Sequence, residues 1–141
     1  MSQAEVPTTG RVQLALNVTD LESSVDFYTK LLGVPPVKEK PGYANFAVAV
    51  PPLKLVLFES SDGGTINHLG VEVSDTAAVG RAIERLEDAK LTTETEAEVS
   101  CCYAKQDKVW ATGPDGEKWE YYTVLEATPD QQQASEVACC A

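Results

Sequence analysis

The chain repeats itself once, and that repeat limits its folding options more than any other feature. Gln13-Leu14-Ala15-Leu16-Asn17-Val18-Thr19-Asp20 aligns without a gap with His68-Leu69-Gly70-Val71-Glu72-Val73-Ser74-Asp75, an offset of 55 residues. Both segments set apolar residues at alternate positions and end on Thr-Asp or Ser-Asp, the pattern of a half-buried strand running into a helix N-terminus. A unit this short cannot bury its apolar face alone, so the two copies are expected to share one core.

The helices that should follow are legible from their stripes. In the first, Thr19 stands three residues before Glu22 in capping-box spacing, and Leu21, Val25, Tyr28 and Leu32 share one face; Gly33 and Pro35-Pro36 end it. In the second, from about Asp75 to Ala89, Val79, Ile83 and Leu86 form the matching stripe. Strand-like runs come next. They are Tyr43 to Val50 and Leu53 to Glu59 in the first copy, then Tyr103 to Thr112 and Glu117 to Leu125 in the second, broken by Pro51-Pro52 and by Gly113-Pro114-Asp115-Gly116. Each copy reads βαβββ, which predicts an α+β fold with two open sheets paired around a cleft. The expected organisation is a flexible segment over 1–10, a single domain over 11–126 with repeats at 11–60 and 66–126, and a flexible, Gln-rich tail over 127–141.

Bulk properties remove whole classes of function. The 141 residues are 43% hydrophobic, enough for a core without staples, and carry a net charge of −11, which repels nucleic acid and anionic lipid surfaces. No stretch approaches the roughly 20 apolar residues of a membrane span, and no basic-then-apolar leader opens the chain. The expectation is a cytoplasmic protein acting on small molecules, with homodimerisation left open.

A two-fold arrangement of the repeats brings the starts of the opening strands together, so Gln13 and His68 become equivalent residues facing one cleft. Aligning Lys54-Leu55-Val56-Leu57 with Lys118-Trp119-Glu120-Tyr121 puts Val56 and Glu120 at the other two corners. His68 is the only histidine in the chain, and it opens its strand after the Asp62-Gly63-Gly64 turn. It is either a hydrogen-bonded strand-end residue or a metal ligand. Glu120 lies in Trp119-Glu120-Tyr121-Tyr122, where a cleft-facing carboxylate would need a cation and an outward-facing one would not. Gln13 is the weakest donor of the three. An imidazole nitrogen, an amide oxygen and a carboxylate make an oxygen-rich set that leaves open positions on an octahedral divalent ion and does not suit structural zinc.

The four cysteines form two vicinal pairs, Cys101-Cys102 and Cys139-Cys140, unlike the dispersed spacing of a disulfide framework. Adjacent thiolates suit a soft ion such as trivalent arsenic or cadmium. Cys101-Cys102 follows the acidic run 94–100 and is expected on a loop leading into a cleft-lining strand. Lys105 and Lys108 would lower the thiol pKa values there, and the nearby glutamates would raise them. Tyr103, Lys105 and Trp110 are candidates to line the cleft or pack in the core.

Six segments carry a resemblance: Arg11-Val12-Gln13-Leu14-Ala15-Leu16, Pro41-Gly42-Tyr43-Ala44-Asn45-Phe46, Pro51-Pro52-Leu53-Lys54-Leu55-Val56-Leu57, Asn67-His68-Leu69-Gly70-Val71-Glu72-Val73, Cys101-Cys102-Tyr103-Ala104-Lys105-Gln106-Asp107-Lys108-Val109-Trp110 and Gly113-Pro114-Asp115-Gly116-Glu117-Lys118-Trp119-Glu120. Over about Arg11 to Leu125 the chain resembles the ArsI-type carbon–arsenic lyases and cadmium-induced proteins of the vicinal-oxygen-chelate (glyoxalase-like) superfamily. The resemblance implies an Fe(II)-dependent, O2-using dioxygenase, other divalent metals being possible. Such an enzyme would cleave the carbon–arsenic bond of trivalent organoarsenicals and release arsenite. It carries the ligand roles onto Gln13, His68 and Glu120 and the arsenic-binding role onto Cys101 and Cys102; many relatives have histidine where this chain has Gln13. Cys139-Cys140 takes no catalytic role. Two other functions compete: cadmium or arsenite sequestration without turnover, and a thiol transferase on the same fold, which would need no vicinal cysteines.

Overall fold

The computed structural model describes residues 6–127 other than 8, 102 and 103. Cys102, Tyr103, Cys139 and Cys140 lie outside the described residues, as do most of the segments expected to be flexible over 1–10 and 127–141. The elements run β1 (Arg11–Val18), α1 (Leu21–Leu32), β2 (Lys38–Lys40), β3 (Tyr43–Val48), β4 (Leu53–Glu59), β5 (Thr65–Glu72), α2 (Thr76–Asp88), β6 (Thr92–Cys101), β7 (Ala104–Thr112) and β8 (Lys118–Ala127). This is the expected βαβββ unit twice over.

All eight strands form one sheet in the order β2-β3-β4-β1-β5-β8-β7-β6. Within the halves, β1 lies parallel to β4 and β5 parallel to β8. The opening strands β1 and β5 meet antiparallel at the centre, with Gln13 opposite Gly70 and Ala15 opposite His68. Those two pairings exchange under the 55-residue repeat, so the seam carries the internal two-fold. Gln13 and His68 are therefore diagonal neighbours across it.

Both helices cover one face of the sheet. Leu21, Val25, Tyr28 and Leu32 of α1 pack on Leu14, Leu16, Val18, Phe46, Leu55 and Leu57, the stripe read from the sequence. Val79, Ala82 and Leu86 of α2 are buried on the second half, and the Arg85 guanidinium sits over the Tyr121 ring. Side chains directly opposite on paired strands share a face, so the alternate set faces away from both helices. That set includes Arg11, Gln13, Lys54, His68, Gly70, Glu72, Lys108, Trp110, Glu120 and Tyr122.

Two local readings are corrected. The cap of α1 is Asp20, whose carboxylate accepts from Ser23 N at 3.3 Å, instead of Thr19; a carboxylate placed there also complements the helix dipole. Gly33 then ends the helix at φ 76°, where a side chain would be strained. Residues 92–101 form strand β6 and not an acidic loop, so Cys101 closes a strand, in register with Ala104. Strands β2 and β6 escaped the apolar pattern because they are the two sheet edges, where alternating charged and Thr residues guard the unpaired side. Among the described residues no helix is long and apolar enough to cross a membrane.

Candidate metal centre

Strand register assembles the centre. One cross-strand row runs Lys54, Gln13, Gly70, Glu120, Trp110 over β4, β1, β5, β8 and β7. Gln13 and Glu120 flank Gly70, and only the absence of a side chain there lets them meet: a Cβ on Gly70 would lie 2.9 Å from Glu120 Cγ and 3.1 Å from Gln13 Nε2. His68 reaches in from the same strand, two residues back.

The three residues converge. His68 Nε2 lies 2.9 Å from Glu120 Oε2 and 3.3 Å from Gln13 Nε2, and Gln13 Nε2 donates to the same carboxylate oxygen at 2.6 Å. All three are buried. Val56, the fourth corner, is buried as well but offers no donor atom. Glu120 faces the helix-free side, which resolves the orientation that strand alternation left open.

Glu120 stays ionised in this interior. Burial alone would raise its pKa; the Lys108 ammonium, 2.7 Å from Oε1, and the His68 hydrogen bond outweigh burial and hold the carboxyl at about 2, against an ordinary 4.5. Lys108 is 1% exposed, with the Trp110 and Tyr122 rings 5.3 and 5.7 Å from its ammonium. Its charge serves the Glu120 carboxylate, a pairing the sequence did not suggest. Lys105 pairs with Glu98 at 3.2 Å and Glu126 at 3.8 Å. Trp110 does line the centre, its ring edge-to-face with His68 at 5.3 Å.

Two polar chains brace the centre, and sequence reasoning missed both. On one side Tyr122 donates its hydroxyl to Gln13 Oε1 and lies 3.5 Å from Glu72 Oε1, which also accepts from Arg11 Nε at 2.9 Å. Burial, reinforced by the Glu72 and Glu120 charges, raises the Tyr122 pKa well above 10, so the phenol remains a donor. On the other side His68 Nδ1 meets Asn67 Oδ1 at 2.7 Å, and Asn67 Nδ2 donates to Asn17 Oδ1 at 3.0 Å. Glu72 and Asn17 are repeat equivalents. The self-alignment held that signal, but equivalent positions carrying different residue types did not draw attention.

The donor set fits a divalent cation. His68 Nε2 and Glu120 Oε2 already point at one another 2.9 Å apart, and Gln13 stands beside the same carboxylate oxygen. Gln13 would ligate through its oxygen with the amide reversed, and the Tyr122 hydroxyl could then accept from Nε2.

A family model described as the Glyoxalase/Bleomycin resistance protein/Dioxygenase superfamily matches residues 10–121. The chain belongs to that superfamily. Over 132 residues it is 55% identical to the "Trivalent organoarsenical cleaving enzyme" of Thermomonospora curvata, covering 92% of this chain and 87% of that one. Over 116 residues it is 61% identical to the "Cadmium-induced protein CadI" of Mycobacterium bovis, covering 82% and 76%. Within the superfamily the chain thus falls in the organoarsenical-cleaving and cadmium-induced family that its Cys-Cys-Tyr-Ala and Pro-Asp-Gly segments resemble. Among solved structures, the Mn(II)-bound glyoxalase of Novosphingobium aromaticivorans superposes with TM-score 0.62 at 18% identity, over 90% of this chain and 44% of that one, a likeness of fold.

Proposed function

We propose that the chain is an Fe(II)-dependent, dioxygenase-type carbon–arsenic lyase. It takes trivalent organoarsenicals, methylarsenite or aromatic arsenicals, releases arsenite and so confers organoarsenical resistance. The observation that carries the reading is the buried convergence of Gln13, His68 and Glu120 in a chain 55% identical to a named organoarsenical-cleaving enzyme. Gln13, His68 and Glu120 hold the metal. Bound Fe(II) with O2 supplies the oxidising chemistry, and other divalent ions compete for the same donors according to their availability.

The remaining roles belong to side chains. Cys101 and Cys102 capture trivalent arsenic as thiolates, converting an encounter in solution into a held substrate. Lys108 occupies Glu120 Oε1, leaving Oε2 as the ligating oxygen, and keeps the carboxylate charged. The edge of Trp110 and the buried ring of Phe58, 6.2 Å from His68, keep water from the imidazole. The protein works in the cytoplasm, where free thiols persist.

One observation favours a second reading: the relative at 61% identity is named for induction by cadmium, and vicinal thiols alone suffice to sequester a soft cation. Anaerobically purified protein given Fe(II), then O2 and methylarsenite, is expected to release arsenite and consume O2. Glu120→Ala should abolish release while leaving arsenic capture intact, and Cys101→Ser should weaken capture. Methylarsenite recovered intact from the wild-type reaction would favour sequestration.

A further inference from the structure

We propose that Asn67 is a positioning residue for the centre, holding the His68 ring by its Nδ1–H so that Nε2 is the nitrogen presented to a metal. The proposal rests on the reading of His68 as a ligand. It begins with an irregularity in the seam: Ala15 pairs with His68 and Leu16 with Ile66, so the register skips Asn67. A bulge at this point turns the side chain of the extra residue out of strict alternation, and Asn67 Oδ1 lies 2.7 Å from the ring nitrogen of its own neighbour. In an unbulged strand, adjacent side chains project to opposite faces.

The direction of this hydrogen bond follows from the far end of the chain of contacts. Thr65 Oγ1 donates to the Asp62 carbonyl at 2.6 Å, and a carbonyl can only accept. That uses the one hydroxyl proton, so Thr65 Oγ1 accepts from Asn17 Nδ2 at 2.9 Å. Asn17 Oδ1 then accepts from Asn67 Nδ2 at 3.0 Å, which leaves Asn67 Oδ1 as the end facing His68. A carbonyl at the surface therefore fixes the orientation of two amides and places a proton on Nδ1. The carboxylate does not compete for this ring edge, because Glu120 meets the opposite ring nitrogen, Nε2, at 2.9 Å.

Metal-free wild-type protein and its variants are titrated with Zn(II) against a chromophoric chelator, and nitrogen–proton correlation spectra of the Zn(II)-loaded imidazole are recorded. His68 is the only histidine, so the ring signals need no assignment. Asn67→Leu is expected to bind Zn(II) about 10- to 100-fold more weakly and to lose the slowly exchanging Nδ1–H resonance. Asn67→Asp, which keeps an acceptor, should retain both the resonance and most of the affinity. Thr65→Val removes the anchor from an exposed site with little risk to folding, and should give a smaller loss of affinity. Wild-type affinity in folded Asn67→Leu, or a wild-type spectrum without a protected Nδ1–H, would overturn the positioning role. A wild type that binds no metal would overturn the ligand reading itself.

Discussion

Replacing Gly70 by alanine adds one methyl group at a crowded point of the seam. The new Cβ would stand 2.9 Å from Glu120 Cγ, 3.0 Å from the Glu120 carbonyl oxygen and 3.1 Å from Gln13 Nε2. Carbon atoms rest about 3.5–4.0 Å apart, so relief must come from Glu120 and Gln13 moving aside. The carbonyl oxygen cannot follow them, because it belongs to the β8 backbone paired with β5. Over-packing of this kind costs about 1–3 kcal/mol, and here it displaces two of the three proposed ligands. Gly80, in α2, supplies the control: nothing lies within 4 Å of a Cβ built there, so the same substitution should stabilise by about 0.5–1 kcal/mol through helix propensity. Urea unfolding of both variants at constant m-value, paired with metal titration, reads both effects. A Gly70→Ala protein as stable as wild type and with undiminished metal affinity would refute the claim that this gap makes the site.

Lys108→Met should destabilise the metal-free protein by about 3–5 kcal/mol, since it strands a buried carboxylate. Glu120 has its pKa lowered to about 2 from 4.5, so its contribution to stability is complete above about pH 4.5 and lost as pH falls toward 2. Without Lys108 that loss should begin at higher pH, as urea unfolding between pH 7 and 3 would show. Asp75→Ala removes the acceptor that takes Ala78 N at 2.8 Å at the start of α2 and should cost about 1 kcal/mol; an unchanged urea midpoint would argue against the cap. Cys102→Ser should abolish tight arsenite binding and leave Zn(II) affinity unchanged, measured by titration of each ion separately.

The 55-residue repeat and the apolar stripes were enough to derive the strand-then-helix opening of each half, the buried face of α1 and the equivalence of Gln13 and His68, because apolar period and self-similarity are written along the chain. The repeat also singled out Val56 as the corner that cannot coordinate. What the chain could not reveal depends on which residues stand opposite one another. Gly70 reads as an ordinary small residue until β1 and β8 close on either side of it, and nothing along the chain links Lys108 to Glu120 until β7 pairs with β8 and delivers its ammonium there. Strands β2 and β6 stayed hidden because an edge strand is stabilised by its neighbour's backbone and carries little apolar pattern of its own. The bulge at Asn67 is a misfit between two strands, so neither strand records it alone. Residue periodicity encodes burial against a face, but the site rests on cross-strand register, a property of pairs that exists only once the sheet has formed.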